Sequence, residues 1–310
     1  MSDKTRAAHR FRWGKGVLFS PRVVPYVFIM PFVLYFLLIY LYPIIASTIM
    51  SFQRIEGPNS ATFIGFKNYE RLFSRHYIKA LETTLRYTVW DVLILVPVPL
   101  LFAALLHSKL CKAANFFKSL FFIPALTSII VAGIVFRLAF GSLETALVNR
   151  LMIFLNLQPK NWLMQPDTGN FVLVVLTLWR WLGVNIIYYY SGIKAIPIEL
   201  YEAARIDGAN AIAQFRHITV PSLKPVIIYV TTITVLGGFS MFTESVALWQ
   251  QSNPGGIGLT IVGYMYQIGI SKSNMGLASA VGLTLLVMVL TVNLIQLKLM
   301  GFFKKEDDVQ

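Results

Sequence analysis

The chain has 310 residues, of which 56% are hydrophobic and 13% charged, and it carries a formal net charge of +13. An ordinary soluble domain is roughly a quarter charged. Here the apolar residues fall in runs that reach the roughly 20 residues needed to cross a bilayer, which excludes a soluble enzyme. The basic excess does not point to nucleic acid, because Lys and Arg stand near span ends and in connecting segments, as the positive-inside rule expects.

Residues 1–22 hold Lys4, Arg6, Arg10, Arg12, Lys15 and Arg22 against the single acid Asp3, so this segment is expected in the cytoplasm. A basic stretch before an apolar run also opens a signal peptide. The run 25–50 is longer than the usual signal core and is read as an uncleaved first span, with Pro31 and Pro43 inside it. Proline is tolerated in membrane helices because neighbours can satisfy the freed carbonyls. A polar loop is predicted over 51–81, then a second span over 82–107, bent at Pro97 and Pro99. The loop 108–118 has Lys109, Lys112 and Lys118 and no acid.

The third span is predicted over 119–140, followed by a turn-rich and amphipathic loop, 141–170, and a fourth span over 171–191. A mixed-charge segment, 192–225, leads to a fifth span, 226–248, interrupted by Gly237 and Gly238. The loop 249–275 contains Asn253-Pro254-Gly255-Gly256, and the sixth span, 276–300, ends in a charged tail. The expectation is an all-α polytopic membrane protein: a cytoplasmic segment 1–22, a six-helix domain 23–300 and a cytoplasmic tail 301–310. With both termini inside, cytoplasmic segments hold 16 Lys and Arg and external ones 8, five of them in the first external loop.

Cys111 is the single cysteine, so no disulfide forms within the chain. His9, His76, His107 and His217 are scattered without metal-ligand spacing.

The informative segment runs from Ile196 to Asn210. Pro197 suits a first helical position, and Glu199 and Glu202 suit the positive end of the helix dipole. Ala203 and Ala204 favour helix, and Gly208 fits a left-handed helix stop. A second amphipathic stretch, 211–219, runs into Val220-Pro221 and Pro225. Two readings stand on these residues alone: an amphipathic loop lying on the lipid surface, or two short cytoplasmic helices set at an angle around Gly208.

The residue order resembles a known family. Glu202-Ala203-Ala204, three residues, Gly208, nine residues, then Ile218-Thr219-Val220-Pro221 is similar to the EAA loop (residues 197–221 here) of binding-protein-dependent ABC importer permeases. Val220 stands where leucine is usual. Tyr201 and Ile206-Asp207-Gly208-Ala209 resemble the carbohydrate branch, the maltose and glycerol-3-phosphate type. Phe63-Ile64-Gly65-Phe66-Lys67-Asn68-Tyr69, Trp179-Arg180-Trp181-Leu182-Gly183 and Met275-Gly276-Leu277-Ala278-Ser279-Ala280 resemble further family segments in the same order, so the likeness covers nearly the whole chain. Asn253-Pro254-Gly255-Gly256 departs from the family's Gly-Gly-Pro turn in its order.

The resemblance implies a permease subunit in a bacterial cell membrane that imports a sugar, a di- or oligosaccharide, by alternating access. It implies a second homologous permease, two ATPase subunits that bind ATP and Mg, and an extracellular solute-binding protein. No cofactor is expected on this chain and no nucleic-acid partner. The coupling residues it implies are Tyr201, Glu202, Ala203, Ala204, Asp207, Gly208, Ile218 and Pro221, on a rigid lever docked to the ATPase.

For the sugar, span four offers Trp181, Asn185 and Tyr188 on one helical face, and span five offers Phe239, Phe242, Thr243 and Glu244. Aromatics in membranes more commonly serve packing or the interfacial belt. Asn185 and Glu244 stand out because uncompensated polarity in a bilayer is costly, although Glu244 is also open to pairing with Arg180 or Arg137. The competing class is an ion-coupled secondary transporter, for which Asp91 and Glu244 make only a thin relay and no internal repeat stands out. There is no phosphate-binding loop or metalloprotease or serine-hydrolase motif, so the chain is not expected to be an enzyme and ATP is expected to be hydrolysed on another polypeptide.

Overall fold

The computed structural model describes residues 23–57, 60–108, 111–249 and 254–302. The basic segment 1–22, Lys109, Asn253 and tail residues 303–310 lie outside the described residues.

Helix α1, Val24–Ser51, is apolar throughout and buries almost nothing of its own. Its middle, Phe36–Leu41, is a π-helix closed by the Tyr42 amide on the Leu37 carbonyl. Pro43 has no amide for the carbonyl four residues back, and a local shift to wider hydrogen bonds is a known way around a proline. An antiparallel hairpin follows, β1 (Gln53–Gly57) and β2 (Ser60–Phe63), pairing Gln53 with Phe63 and Arg54 with Thr62. The all-helical expectation misses this hairpin. Asn68, on the short helix α2 (Lys67–Glu70), donates at 2.9 Å to both the Ser51 and Gln53 carbonyls and ties the hairpin to the end of α1.

Helix α3 covers Arg75–Leu95 and starts seven residues before the expected span, where Ser74 caps the Tyr77 amide. The polar first turns, expected as loop, are the outer end of that helix. Helix α4, Pro97–His107, continues it beyond Val96. The expected third span is two helices, α5 (Ala114–Leu126) and α6 (Ile129–Ala139), bent by 96°. Thr127 and Ser128 are extended there, just past Pro124. After α7 (Leu147–Phe154), helix α8 covers Pro166–Lys194, longer than expected at both ends.

Helices α9 (Ile198–Ile206) and α10 (Ala211–Ser222) form the next segment, and α10 meets α11 (Lys224–Phe239) at 69°. The expected fifth span therefore ends early: residues 240–242 separate α11 from α12, Thr243–Trp249. The following loop carries a further helix, α13, over 261–271, which periodicity did not mark. Helix α14, Met275–Leu299, is capped by Asn274 on the Leu277 amide. Among the described residues four helices are long and apolar enough to cross a membrane, and there are up to six such crossings if the bent pairs α5–α6 and α10–α11 each count as one span.

Helix α8 is the central post, packed along α3, α4 and α5, while α1 lies on α14 and α11 on α3. Gly183 makes the α5–α8 contact possible: a Cβ there would collide with the Phe121 carbonyl.

Candidate functional site

Two places gather polar residues. The first is a cavity of about 300 Å³ between α3, α8 and the α11–α12 break. Its walls follow helical spacing: Tyr87, Asp91 and Leu95 recur every four residues on α3, and Thr177, Trp181 and Asn185 do so on α8. The Tyr87 hydroxyl and Thr177 Oγ1, 2.5 Å apart, join the two helices. Asn185 Nδ2 donates to the Leu95 carbonyl at 3.0 Å. Residue 99 is a proline, so it has no amide to offer that carbonyl, and the asparagine supplies the missing donor.

Glu244 pairs with Arg180 at 3.5 Å, with both side chains mostly buried. The Arg180 guanidinium also lies 5.4 Å from the centre of the Trp181 ring. Asp91 lines the same cavity, is 2% exposed, and its Oδ1 has no hydrogen-bond partner among the described residues.

The candidates drawn from sequence separate in space. Trp181, Asn185 and Glu244 share the cavity. Tyr188 packs edge-on against Tyr229, 5.3 Å between centroids, and Phe239 is buried in the packing. Phe242 and Thr243 line a second cavity of about 810 Å³ bounded by α6, α12 and α13, where Phe242 is 5.2 Å from Tyr266. Tyr87 and Thr177 escaped the sequence reading. Their signal was present as polar groups four residues from Asp91 and from Trp181.

The second place is the α9–α10 pair. Gly208 has φ of +80°, the left-handed geometry in which L side chains are strained. Around it the Gly208 amide bonds the Arg205 carbonyl at 3.1 Å and the Ala209 amide bonds the Ala204 carbonyl at 2.8 Å, which is a Schellman stop. Asn210 then caps α10 through the Ala213 amide at 2.8 Å. The Tyr201 hydroxyl and Thr219 Oγ1, 2.9 Å apart, brace the two helices, and Gln214 Nε2 reaches the Ala209 carbonyl at 2.8 Å. Pro197 sits at the N-cap of α9, one position before the expected first helical place.

Outward from this frame stand Glu202, Ala203, Asp207 and Pro221. Ile206 and Ile212 flank the turn and are 87% and 77% exposed. Ala204 and Ile218 are half-buried on the inner side. Residues 215–219 form a π-helix ahead of Pro221, repeating the solution found before Pro43. Among the described residues no group of three or more His, Cys, Asp or Glu side chains is placed to hold a metal.

The fold and this protruding helix pair define a membrane-embedded transport subunit, and comparison with known proteins agrees. Residues 85–305 match the family described as binding-protein-dependent transport system inner membrane component. The chain is 52% identical over 300 residues to the arabinooligosaccharides transport system permease protein AraP of Bacillus subtilis (strain 168), covering 97% of this chain and 95% of that one. It is 28% identical over 276 residues to the lactose transport system permease protein LacF of Rhizobium radiobacter, covering 87% and 92%. In fold it is similar to a chain of a bacterial ABC transporter involved in import of the acidic polysaccharide alginate, with TM-score 0.79, 24% identity, and 91% and 96% covered.

The chain belongs to the binding-protein-dependent transport system inner membrane component family. It is a multi-pass inner-membrane permease of a binding-protein-dependent ABC transport system and is not itself the ATPase, which sets aside the ion-coupled alternative.

Proposed function

We propose that this chain is one of two six-span permeases in an importer of arabino-oligosaccharides, working with two ATPase subunits and an extracellular solute-binding protein. The observation that carries the substrate reading is the 52% identity, over 97% of the chain, to a permease named for arabinooligosaccharides. In the proposed topology both termini are cytoplasmic, and the crossings are α1, α3–α4, α5–α6, α8, α11 continued by α12, and α14; α10, the other half of the bent α10–α11 pair, stays on the cytoplasmic side. The ends of α4, α5 and α8 then share one cytoplasmic rim. Lys118 and Lys194 gather there at 4.0 and 5.4 Å from the centre of the Tyr190 ring, the charge expected on that side.

In this reading α9 and α10 (with Tyr201, Glu202, Ala203, Ala204, Asp207, Gly208, Ile218 and Pro221) form the lever that docks on the ATPase. Its braced turn and exposed isoleucines support that role. The physical requirement is a contact whose free energy differs between the inward- and outward-facing states. ATP and Mg are held by the partner. The sugar passes through the cavity that holds Trp181, Asn185 and Glu244, with Phe242 and Thr243 on its outer approach.

The test is uptake of radiolabelled arabinotriose into proteoliposomes holding both permeases, the ATPases and external binding protein. ATP-dependent accumulation is expected. Accumulation without the ATPase subunits, or uptake of other oligosaccharides but not this one, overturns the reading.

A further inference from the structure

We infer that Lys118, Lys194 and His107, gathered around Tyr190, bind the phosphate of an anionic phospholipid in the cytoplasmic leaflet. The choice of leaflet rests on the topology proposed above; the site itself does not.

Charge bias along the chain explains why lysines stand at this rim, but not why they converge. His107 closes α4, Lys118 lies on α5 and Lys194 closes α8, yet all three meet at one ring. The Lys118 and Lys194 ammonium groups lie 4.0 and 5.4 Å from the centre of the Tyr190 ring, and the His107 imidazole stands edge-on to it at 5.9 Å. An aromatic face attracts a cation at such distances, but it cannot neutralise two. Among the described residues no acid lies within ion-pair distance of either lysine. Neither ammonium group, nor the His107 ring, nor the Tyr190 hydroxyl is hydrogen-bonded to any of them.

Like charges held near a common ring repel, and a bound anion removes that cost. Each ammonium carries three donors, and charge-assisted bonds to phosphate oxygens are of the strong kind. An apolar strip leading away from the cluster favours a lipid over a free anion. Phe121, three residues beyond Lys118 on α5, packs against Phe102 of α4 at 5.5 Å. Leu105, one turn along α4 from Phe102, is 59% exposed. Basic pockets between membrane helices hold anionic headgroups in this way, with the acyl chains against the apolar flank.

The experiment is native mass spectrometry of the assembled importer in detergent, titrated with phosphatidylglycerol or with phosphatidylcholine, and read as the affinity for the first lipid bound. Wild type is expected to bind phosphatidylglycerol at least about tenfold more tightly. Lys118→Gln with Lys194→Gln, which keeps the apolar stems and removes both charges, is expected to narrow that ratio to about threefold or less. Lys118→Arg with Lys194→Arg is expected to keep it. Lys112→Gln removes an exposed lysine of the same rim that makes no contact with Tyr190, and is expected to leave the ratio unchanged.

Equal binding of the two lipids by wild type, an unchanged ratio in the double Gln variant, or an equal loss in Lys112→Gln overturns the inference. Displacement of phosphatidylglycerol by an equal concentration of inorganic phosphate also overturns it, by assigning the site to a free anion. Should the double Gln variant fail to assemble by gel filtration, Lys194→Gln alone decides, with a narrowed ratio expected. No sugar is present and both faces are accessible, so a failed sugar or topology reading leaves these ratios standing. Sidedness is read separately with a membrane-impermeant maleimide on Asn115→Cys in a Cys111→Ser chain. Labelling from outside intact cells overturns the topology, and with it the cytoplasmic leaflet.

Discussion

Asn185 Nδ2 bonds the Leu95 carbonyl at 3.0 Å, across the gap between α8 and the α3–α4 junction. The carbonyl is orphaned because residue 99 is a proline, and the asparagine lies on the helix that supports the rest of the bundle. A residue singled out as a sugar ligand thus also repairs the backbone of a neighbouring helix. Asn185→Leu is expected to cost about 1–3 kcal/mol, the penalty for a buried carbonyl left unpaired. Pro99→Ala in the same chain restores an amide to Leu95 and is expected to recover part of the loss. Thermal unfolding of the purified complex reads both.

The Arg180–Glu244 pair should show the asymmetry of a buried ion pair. Arg180→Met leaves the Glu244 carboxyl without its cation, and breaking such a pair from one side commonly costs about 3–5 kcal/mol. The double change Arg180→Met with Glu244→Met removes both charges and is expected to be less destabilising than Arg180→Met alone. A melting temperature for the double variant below that of the single one would contradict this account.

Gly208 is placed to be irreplaceable for geometric reasons. A Cβ at φ of +80° costs about 1–2 kcal/mol in the left-handed region, and the strain falls on the Schellman turn that sets the angle between α9 and α10. Gly208→Val is expected to insert normally, as judged by membrane fractionation, yet to lose most ATP-dependent uptake. Uptake at wild-type level would remove the turn from the coupling argument.

Tyr201→Phe tests the brace between the same two helices with minimal loss of volume. Deleting its bond to Thr219 is expected to weaken the pair by about 0.5–1.5 kcal/mol. The signature of a loosened lever is more ATP hydrolysed per sugar moved, so hydrolysis and uptake are measured on one preparation. An unchanged ratio would make the brace dispensable. Ile206→Glu and Ile212→Glu act outside that brace and are expected to reduce capture of the ATPase subunits while leaving the permease folded.

The residues by themselves determined that the chain lives in a membrane, where its long apolar helices lie to within several residues, and that a helix–turn–helix with a left-handed Gly208 follows the fourth span. Those features are local: run length, proline, glycine and cap chemistry act over a few neighbours, so order along the chain is enough to read them. What the tertiary structure decided is non-local. The 96° bend that divides the third expected span depends on where α6 finds its partners, and helix 261–271 forms against α3 and α14. The grouping of Tyr87, Asp91, Thr177, Trp181 and Glu244 around one cavity joins positions up to 157 residues apart in number, about which helical period carries no information. Which polar atoms are paired and which are left over follows only from how α3, α8 and α11 meet, because a hydrogen bond depends on distance in space and not on separation in sequence.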